Sequence, residues 1–108
     1  MALDVNEMRN MQAELQEKYL AQWGGVHPRR ARDQLLWMLI EAGEAADIIK
    51  KQGDDAIMDD ASARHAFTEE MCDVMMYFHD VLLCYGITPE EFEQVYREKH
   101  ERNMHRWE

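Results

Sequence analysis

Apolar residues recur at three- and four-residue spacing through most of this chain, which is the pattern of helices with one buried face. A first helix is predicted from about Asp4 to Trp23, where charged residues separate the apolar positions Val5, Met8, Met11, Leu15, Tyr19 and Leu20. Gly24 and Gly25 then end this helix, because paired glycines favour a turn. Residues 26–28 form a short connector.

The second predicted helix begins near Pro28 and ends at about Gln52, just before Gly53. Residues 53–60, with the sequence GDDAIMDD, are acidic and predict a loop. The third helix extends to Tyr85. Its start is left open among three residues that fit an N-cap: Asp60, Ser62 and Thr68.

The start of the fourth helix carries the clearest local signal in the chain. Thr88 fits the N-cap, Pro89 the first helical position, and Glu91 closes a capping box. The helix then runs to about Met104. No segment has the alternation of a strand, so the sequence predicts an all-α fold of four helices in a single domain spanning residues 1–108.

Charge and cysteine content narrow the possible partners. The net charge of −10 argues against binding to a nucleic acid polymer, although divalent cations would still allow a small phosphorylated substrate. No apolar run reaches membrane-spanning length, and the amino terminus is too polar for a secretory signal. Cys72 and Cys84 lie too far apart on one helix to form a disulfide. We therefore expect a cytoplasmic protein without a membrane partner.

The length of 108 residues is close to the lower size at which a single core suffices. Carboxylates placed at interior positions would reduce that core further. We therefore expect a homodimer or a homotetramer that buries more apolar surface.

Two acidic pairs interrupt the most apolar helical segments. Glu41 and Glu44 follow the segment LLWMLI, and Glu70 and Asp73 lie within EEMCDVMMYF. Residues three apart share a helical face, so each pair directs two like charges to the same side. On a solvated face such a pair would indicate no particular function. Helices that are apolar nearly all round are buried, however, so we expect these acids to face the interior or a cleft.

A cation would offset the cost of bringing these four acids together. An all-oxygen ligand set suits Mg²⁺, or Mn²⁺ as a substitute, better than zinc. A di-iron centre of the bundle type requires Glu-x-x-His, whereas Glu44 and Asp73 stand at the histidine positions. The residues thus predict a metal site able to position a phosphate ester and activate water.

Two further groups of residues fit a nucleotide, although each also has a purely structural interpretation. Lys99, Asn103 and Arg106 share a face of the last helix and would suit phosphate oxygens, or simply form a solvated helix end. The aromatic and histidine side chains that would suit a base or sugar, or equally a core, are Trp23, His27, Trp37 and Tyr77.

Together these motifs resemble those of the MazG-like, all-α nucleoside triphosphate pyrophosphohydrolases. The family pattern is EExxE, a spacer, and ExxD, and this chain carries it as residues 40–44 (IEAGE), a spacer over residues 45–69, and residues 70–73 (EMCD). The tail YREKHERNMHRW is similar to the family's closing K-x-x-x-N element. One departure is Ile40, which stands where the pattern has its first acid.

The resemblance implies a role for each matching residue. Mg²⁺ would be held by four acids: Glu41, Glu44, Glu70 and Asp73. Glu41 or Glu44 would accept a proton from the attacking water, and Lys99 and Asn103 would contact phosphates, with Arg106 beside them. Tyr77 and the Trp23/His27 connector match positions that hold the base or sugar. Short members of the family build their sites between subunits of a MazG-like four-helix bundle.

The expected function is therefore hydrolysis of (deoxy)nucleoside triphosphates to monophosphate and pyrophosphate, in nucleotide-pool house-cleaning. One alternative is a phosphoribosyl-ATP pyrophosphohydrolase-like activity, which belongs to the same superfamily. The other alternative is a non-catalytic helical oligomer that binds metal structurally.

Overall fold

The computed structural model describes residues 2–108, and every regular element within them is helical. The α-helices are α1 (Val5–Lys18), α2 (Leu20–Trp23), α3 (Ala31–Gln52), α4 (Asp54–Asp59), α5 (Ala61–Cys84) and α6 (Pro89–His105). A single 3-10 turn (Pro28–Arg30) leads into α3. The prediction of an all-α fold is confirmed, but the described residues form six helices rather than four.

The first additional helix arises from a break at Tyr19. Its backbone angles (φ −105°, ψ 26°) leave the helical region, and the short helix α2 begins one residue later. Trp23 closes the turn by donating its backbone N–H to the Tyr19 carbonyl at 2.8 Å. Gly24, with φ 83°, ends α2 in the left-handed conformation that glycine adopts at little cost.

The second additional helix is α4, so the prediction of a loop over residues 53–60 is wrong. Gly53 makes the turn with φ 86°, and six residues then complete a short helix. Asp54 and Asp55 lie in its first turn, where the helix dipole favours negative charge. The same aspartates that indicated a loop therefore start a helix.

The start of α5 is set by Asp60. Its Oδ2 accepts the backbone N–H of Ala63 at 2.8 Å, whereas Ser62 lies inside the helix and Thr68 donates its hydroxyl to the Arg64 carbonyl. We expect Asp60→Ala to lower the free energy of unfolding by about 1 kcal/mol, because one N–H at the helix start loses its acceptor.

Urea denaturation would measure this loss, with Ser62→Ala as the matched control. The control should change stability by less than about 0.5 kcal/mol, since Ser62 is exposed inside the helix. Equal losses in the two variants would contradict the assignment of Asp60 as the cap.

Helices α3 and α5 form the central pair of the fold, and α1 and α4 pack against α5 while α6 contacts α1. The fully buried apolar residues are few and small: Ala31, Ala45, Ala63 and Cys84. Large apolar side chains of α3, such as Leu35, Leu39 and Ile40, are 43–57% exposed. A single chain therefore buries little of its own apolar surface.

The dimensions of the chain agree with that conclusion. The Cα radius of gyration is 16.3 Å, compared with about 13 Å for a compact domain of this length. The accessible surface is 8339 Å², compared with about 6,300 Å² for a folded monomer of 12.8 kDa. Within the described residues, no helix combines the length and apolar character needed to cross a bilayer.

Polar side chains occupy much of the interior between α1 and α5. The sequence pattern placed the inner face of α1 on residues such as Met11, yet Met11 is 53% exposed and Arg9, Gln12 and Gln16 are buried instead. Arg9 donates from Nε to His79 Nδ1 at 3.2 Å and also to the Ile87 carbonyl. These contacts pair buried polar groups that would otherwise be costly.

The buried histidine predicts a pH dependence of stability. Burial, and then the charge of Arg9, lower the pKa of His79 below its usual value near 6.5. The folded state therefore binds a proton at His79 less readily than the unfolded state. The resulting stabilisation is complete above about pH 6.5 and is lost as the pH falls toward the lowered pKa.

We expect His79→Gln to flatten the change in unfolding free energy between pH 7 and pH 5, because the amide does not titrate. Urea unfolding at several pH values would measure this change. His65→Gln is the control, since His65 is an exposed partner of Glu69. The same pH slope in wild type and His79→Gln would contradict the assignment.

Candidate functional site

Three of the four acidic residues singled out in the sequence meet where α3 and α5 pack together. Glu41 and Glu44 lie one turn apart on α3, and Glu70 lies on α5. One carboxylate oxygen of each falls within 4.8 Å of the others. Helical spacing within α3 and the packing of α5 together produce this three-carboxylate cluster.

Mutual contact changes the electrostatics of the cluster. Hydrogen bonding with Glu70, then burial, then the hydrogen bond and charge of Glu44 raise the pKa of Glu41 to about 7. The second oxygen of Glu70, Oε2, is buried without a hydrogen-bond partner. The cluster thus has an acceptor oxygen without a partner, and the closeness of the three carboxylates disfavours full ionisation of the cluster.

Asp73, the fourth predicted acid, is not one of the three clustered carboxylates. It lines an adjacent cavity of about 620 Å³, and Glu41 lines that cavity as well. Glu41 therefore belongs to both the cluster and the cavity.

The cavity lies among α1, α2, α3 and α5, and its walls are partly aromatic and partly polar. The lining residues other than Glu41 and Asp73 are Gln12, Leu15, Gln16, Gln22, Trp23, Arg30, Gln34, Trp37, Met76, Tyr77 and Asp80. This volume lies within the range of small-molecule sites in proteins.

Three of the predicted base-binding aromatics, Trp23, Trp37 and Tyr77, lie in the cavity wall. Tyr77 packs edge-to-face against Trp37, with ring centroids 6.1 Å apart. Trp23 stacks on Tyr19 at 4.7 Å and remains 39% exposed. Burial, followed by the charge of Glu41, raises the pKa of Tyr77 and keeps its hydroxyl neutral. These rings offer apolar faces next to the acids.

His27 has a local structural contact instead. Its Nε2–H donates to the Gly24 carbonyl at 2.7 Å, which ties the glycine turn to the start of the connector. His27 is half-buried and is not among the residues that line the cavity.

The basic tail also lies outside the cavity of its own chain. Lys99 and Asn103 are on α6, and Arg106 follows the helix with its guanidinium 5.2 Å from the Trp107 ring. Lys99 is exposed, whereas the Asn103 Oδ1 atom is buried without a hydrogen-bond partner. One chain therefore brings the acids and aromatics together but not the predicted phosphate-binding residues.

The sequence interpretation missed the polar residues of the cavity, which include Gln12, Gln16, Gln34 and Asp80. Each is at most 5% exposed. Two spacings could have indicated these residues, because each places two polar side chains on one helical face. Gln12 and Gln16 are four residues apart, and Asp80 follows Asp73 by seven residues, about two helical turns. Polar residues in register with a functional face are candidates for the same site.

Searches of protein-family models, curated proteins and solved structures found no match to this chain.

Proposed function

We propose that this protein is a Mg²⁺-dependent nucleoside triphosphate pyrophosphohydrolase that releases a monophosphate and pyrophosphate. The observation that carries the proposal is the position of Glu41, which joins a three-carboxylate cluster to a cavity with aromatic walls. A phosphate chain needs charge neutralisation, and a base needs an apolar face to stack on. The MazG-like motifs of the sequence agree with this arrangement.

The residues of the cluster suit a hard cation. All donors are carboxylate oxygens, and the unpartnered Oε2 of Glu70 supplies a free acceptor. Glu41, Glu44, Glu70 and Asp73 would hold Mg²⁺, with Mn²⁺ as a substitute. The bound ion would lower the pKa of a water and neutralise phosphate charge.

The protein's own groups would then orient the substrate and move a proton. Trp23, Trp37 and Tyr77 would hold the base, and Glu41 or Glu44 would accept the proton of the attacking water. His27 would hold the glycine turn that follows Trp23, through its hydrogen bond to the Gly24 carbonyl.

We further propose that the active form is a homodimer or homotetramer of MazG-like type in the cytoplasm. The exposed apolar face of α3 and an accessible surface about 2,000 Å² above that of a folded monomer support association. A second copy would supply Lys99 and Asn103, with Arg106, to the phosphates. Two free cysteines fit a reducing compartment.

The decisive experiment is product analysis by anion-exchange chromatography after incubation with a panel of NTPs and dNTPs and Mg²⁺. We expect monophosphate and pyrophosphate, and none of either after EDTA treatment. Diphosphate with orthophosphate would mean a different phosphohydrolase. Turnover of phosphoribosyl-ATP alone would identify that activity instead, and metal-induced thermal stabilisation without turnover would identify a structural metal protein.

A further inference from the structure

One stripe along the outer side of α3 is apolar and yet exposed in the single chain. Leu36, Leu39 and Ile40 are 50–57% exposed. Leu39 follows Leu36 by three residues and Ile40 follows it by four, so the three side chains share one face of the helix. A single chain therefore leaves this face in contact with solvent.

Gly43 continues the same face, because it follows Ile40 by three residues and Leu39 by four. It lies in the middle of α3, where glycine lowers helix stability relative to alanine. A Cβ atom built on it would meet no atom within 4 Å among the described residues beyond its own helical turn. Packing within the chain therefore does not account for this glycine, which leaves a notch in the exposed face.

Opposite charges stand at the two ends of the face. Arg32 is exposed one turn before Leu36, and Asp47 is exposed one turn after Gly43. Asp47 Oδ2 also pairs with Lys51 Nζ at 2.8 Å. An exposed ion pair of this kind contributes little to stability, so Asp47 can take a second partner. We call six residues the α3 stripe: Arg32, Leu36, Leu39, Ile40, Gly43 and Asp47.

We propose, building on the homo-oligomer suggested above, that the α3 stripes of two chains pair antiparallel about a two-fold axis between Leu39 and Ile40. Leu36 of each chain then lies opposite the notch at Gly43 of the other. Arg32 of each chain lies opposite Asp47 of the other. Helix axes about 8–10 Å apart that cross at about 20° keep both ends of the stripe in contact.

Two features favour a second copy of this chain over a different partner. The stripe is complementary to itself in the antiparallel direction, as a two-fold interface requires, whereas a parallel pairing would oppose like charges at both ends. The accessible surface of the chain also exceeds that of a folded monomer by about 2,000 Å². This excess is larger than the roughly 800 Å² that each partner buries in a stable dimer.

Charge reversal tests the pairing without altering its apolar centre. Arg32→Asp produces a stripe with two acids, and Asp47→Arg produces a stripe with two bases. We expect each variant alone to self-associate at least about tenfold more weakly than the wild type. An equimolar mixture of the two should form mixed dimers with about the wild-type affinity. Light scattering with size-exclusion chromatography, and native mass spectrometry of the mixture, would measure both effects.

Asp55→Arg on α4 is the matched control, because it makes the same charge change at an exposed position outside the stripe. It should associate as the wild type does. Gly43→Leu provides a second test, since it fills the notch that receives Leu36. We expect it to weaken association at least about tenfold and to raise the melting temperature of the dissociated chain, because leucine favours a helix.

Self-association of both charge variants at the wild-type level would overturn the pairing. Failure of their mixture to associate, or tight association of Gly43→Leu, would overturn it as well. None of these measurements depends on catalysis. Hydrolysis together with an association that ignores these charges would overturn the pairing alone. Association that follows the charges, without hydrolysis of any triphosphate, would overturn the proposed reaction alone.

Discussion

Glu41→Gln is expected to lower kcat/KM for triphosphate hydrolysis on the order of 1,000-fold. Glu41 is the one acid that belongs to the three-carboxylate cluster and also lines the cavity. The substitution removes a charged oxygen ligand and a candidate proton acceptor while preserving the shape of the side chain. Both losses act where the phosphate charge must be neutralised. Steady-state kinetics with Mg²⁺ would measure the change.

The same variant should be at least as thermally stable as the wild type in the absence of metal at pH 8. Glu70 and Glu44 raise the pKa of Glu41 to about 7, so at pH 8 the folded cluster carries a charge that its neighbours disfavour. A neutral amide relieves that repulsion. A fall in activity without a fall in stability would distinguish a chemical role from a structural one.

Asp55→Asn is the matched control for Glu41→Gln. Asp55 is an exposed acid on α4, so its loss changes the net charge equally without touching the cluster. We expect its activity to stay within about twofold of the wild type, because an exposed charge on α4 has only a screened effect. Full activity of Glu41→Gln would refute the proposed site.

Helix spacing predicted most of the fold because each long helix carries its own local signals. Thr88 caps α6 as expected, by accepting the backbone N–H of Glu91 at 3.2 Å, and Gly53 ends α3. The errors arose where local signals were ambiguous. Asp54 and Asp55 fit either a loop or a helix start, and no residue pattern marked the backbone break at Tyr19.

Helical spacing also predicted that acids of the candidate site lie together, since Glu41 and Glu44 share a face by helical geometry alone. The buried polar residues that line the cavity could not be predicted so directly. Gln12 and Asp80 are far apart in sequence and meet only because α1 packs against α5. An amide between apolar positions carries no sign of burial until its partner helix is known. Tertiary contacts thus determine which polar residues join a site.

Leu39→Glu is expected to weaken self-association at least about 100-fold while leaving the single-chain fold intact. Leu39 is 57% exposed in one chain, so a charge there remains in water and costs the isolated fold little. In an oligomer that covers α3, the same charge would have to be buried without a partner. Light scattering coupled to size-exclusion chromatography over a range of concentrations would measure the shift, with circular dichroism checking helix content.

Met58→Glu is the control, because Met58 is 68% exposed on α4, away from the apolar face of α3. It should associate as the wild type does. A wild-type protein that stays monomeric at high concentration, or a Leu39→Glu variant that associates normally, would contradict the role given to the α3 face.

Loss of association should also abolish hydrolysis, although Leu39 is not among the residues that line the cavity. The phosphate-binding residues proposed on α6 do not reach the cavity of their own chain, so a monomer would hold the acids and aromatics without Lys99 and Asn103. Mixing Leu39→Glu with wild type should not restore the activity of the variant subunits. A fully active monomer would instead mean that the acids and the cavity of a single chain suffice for the reaction.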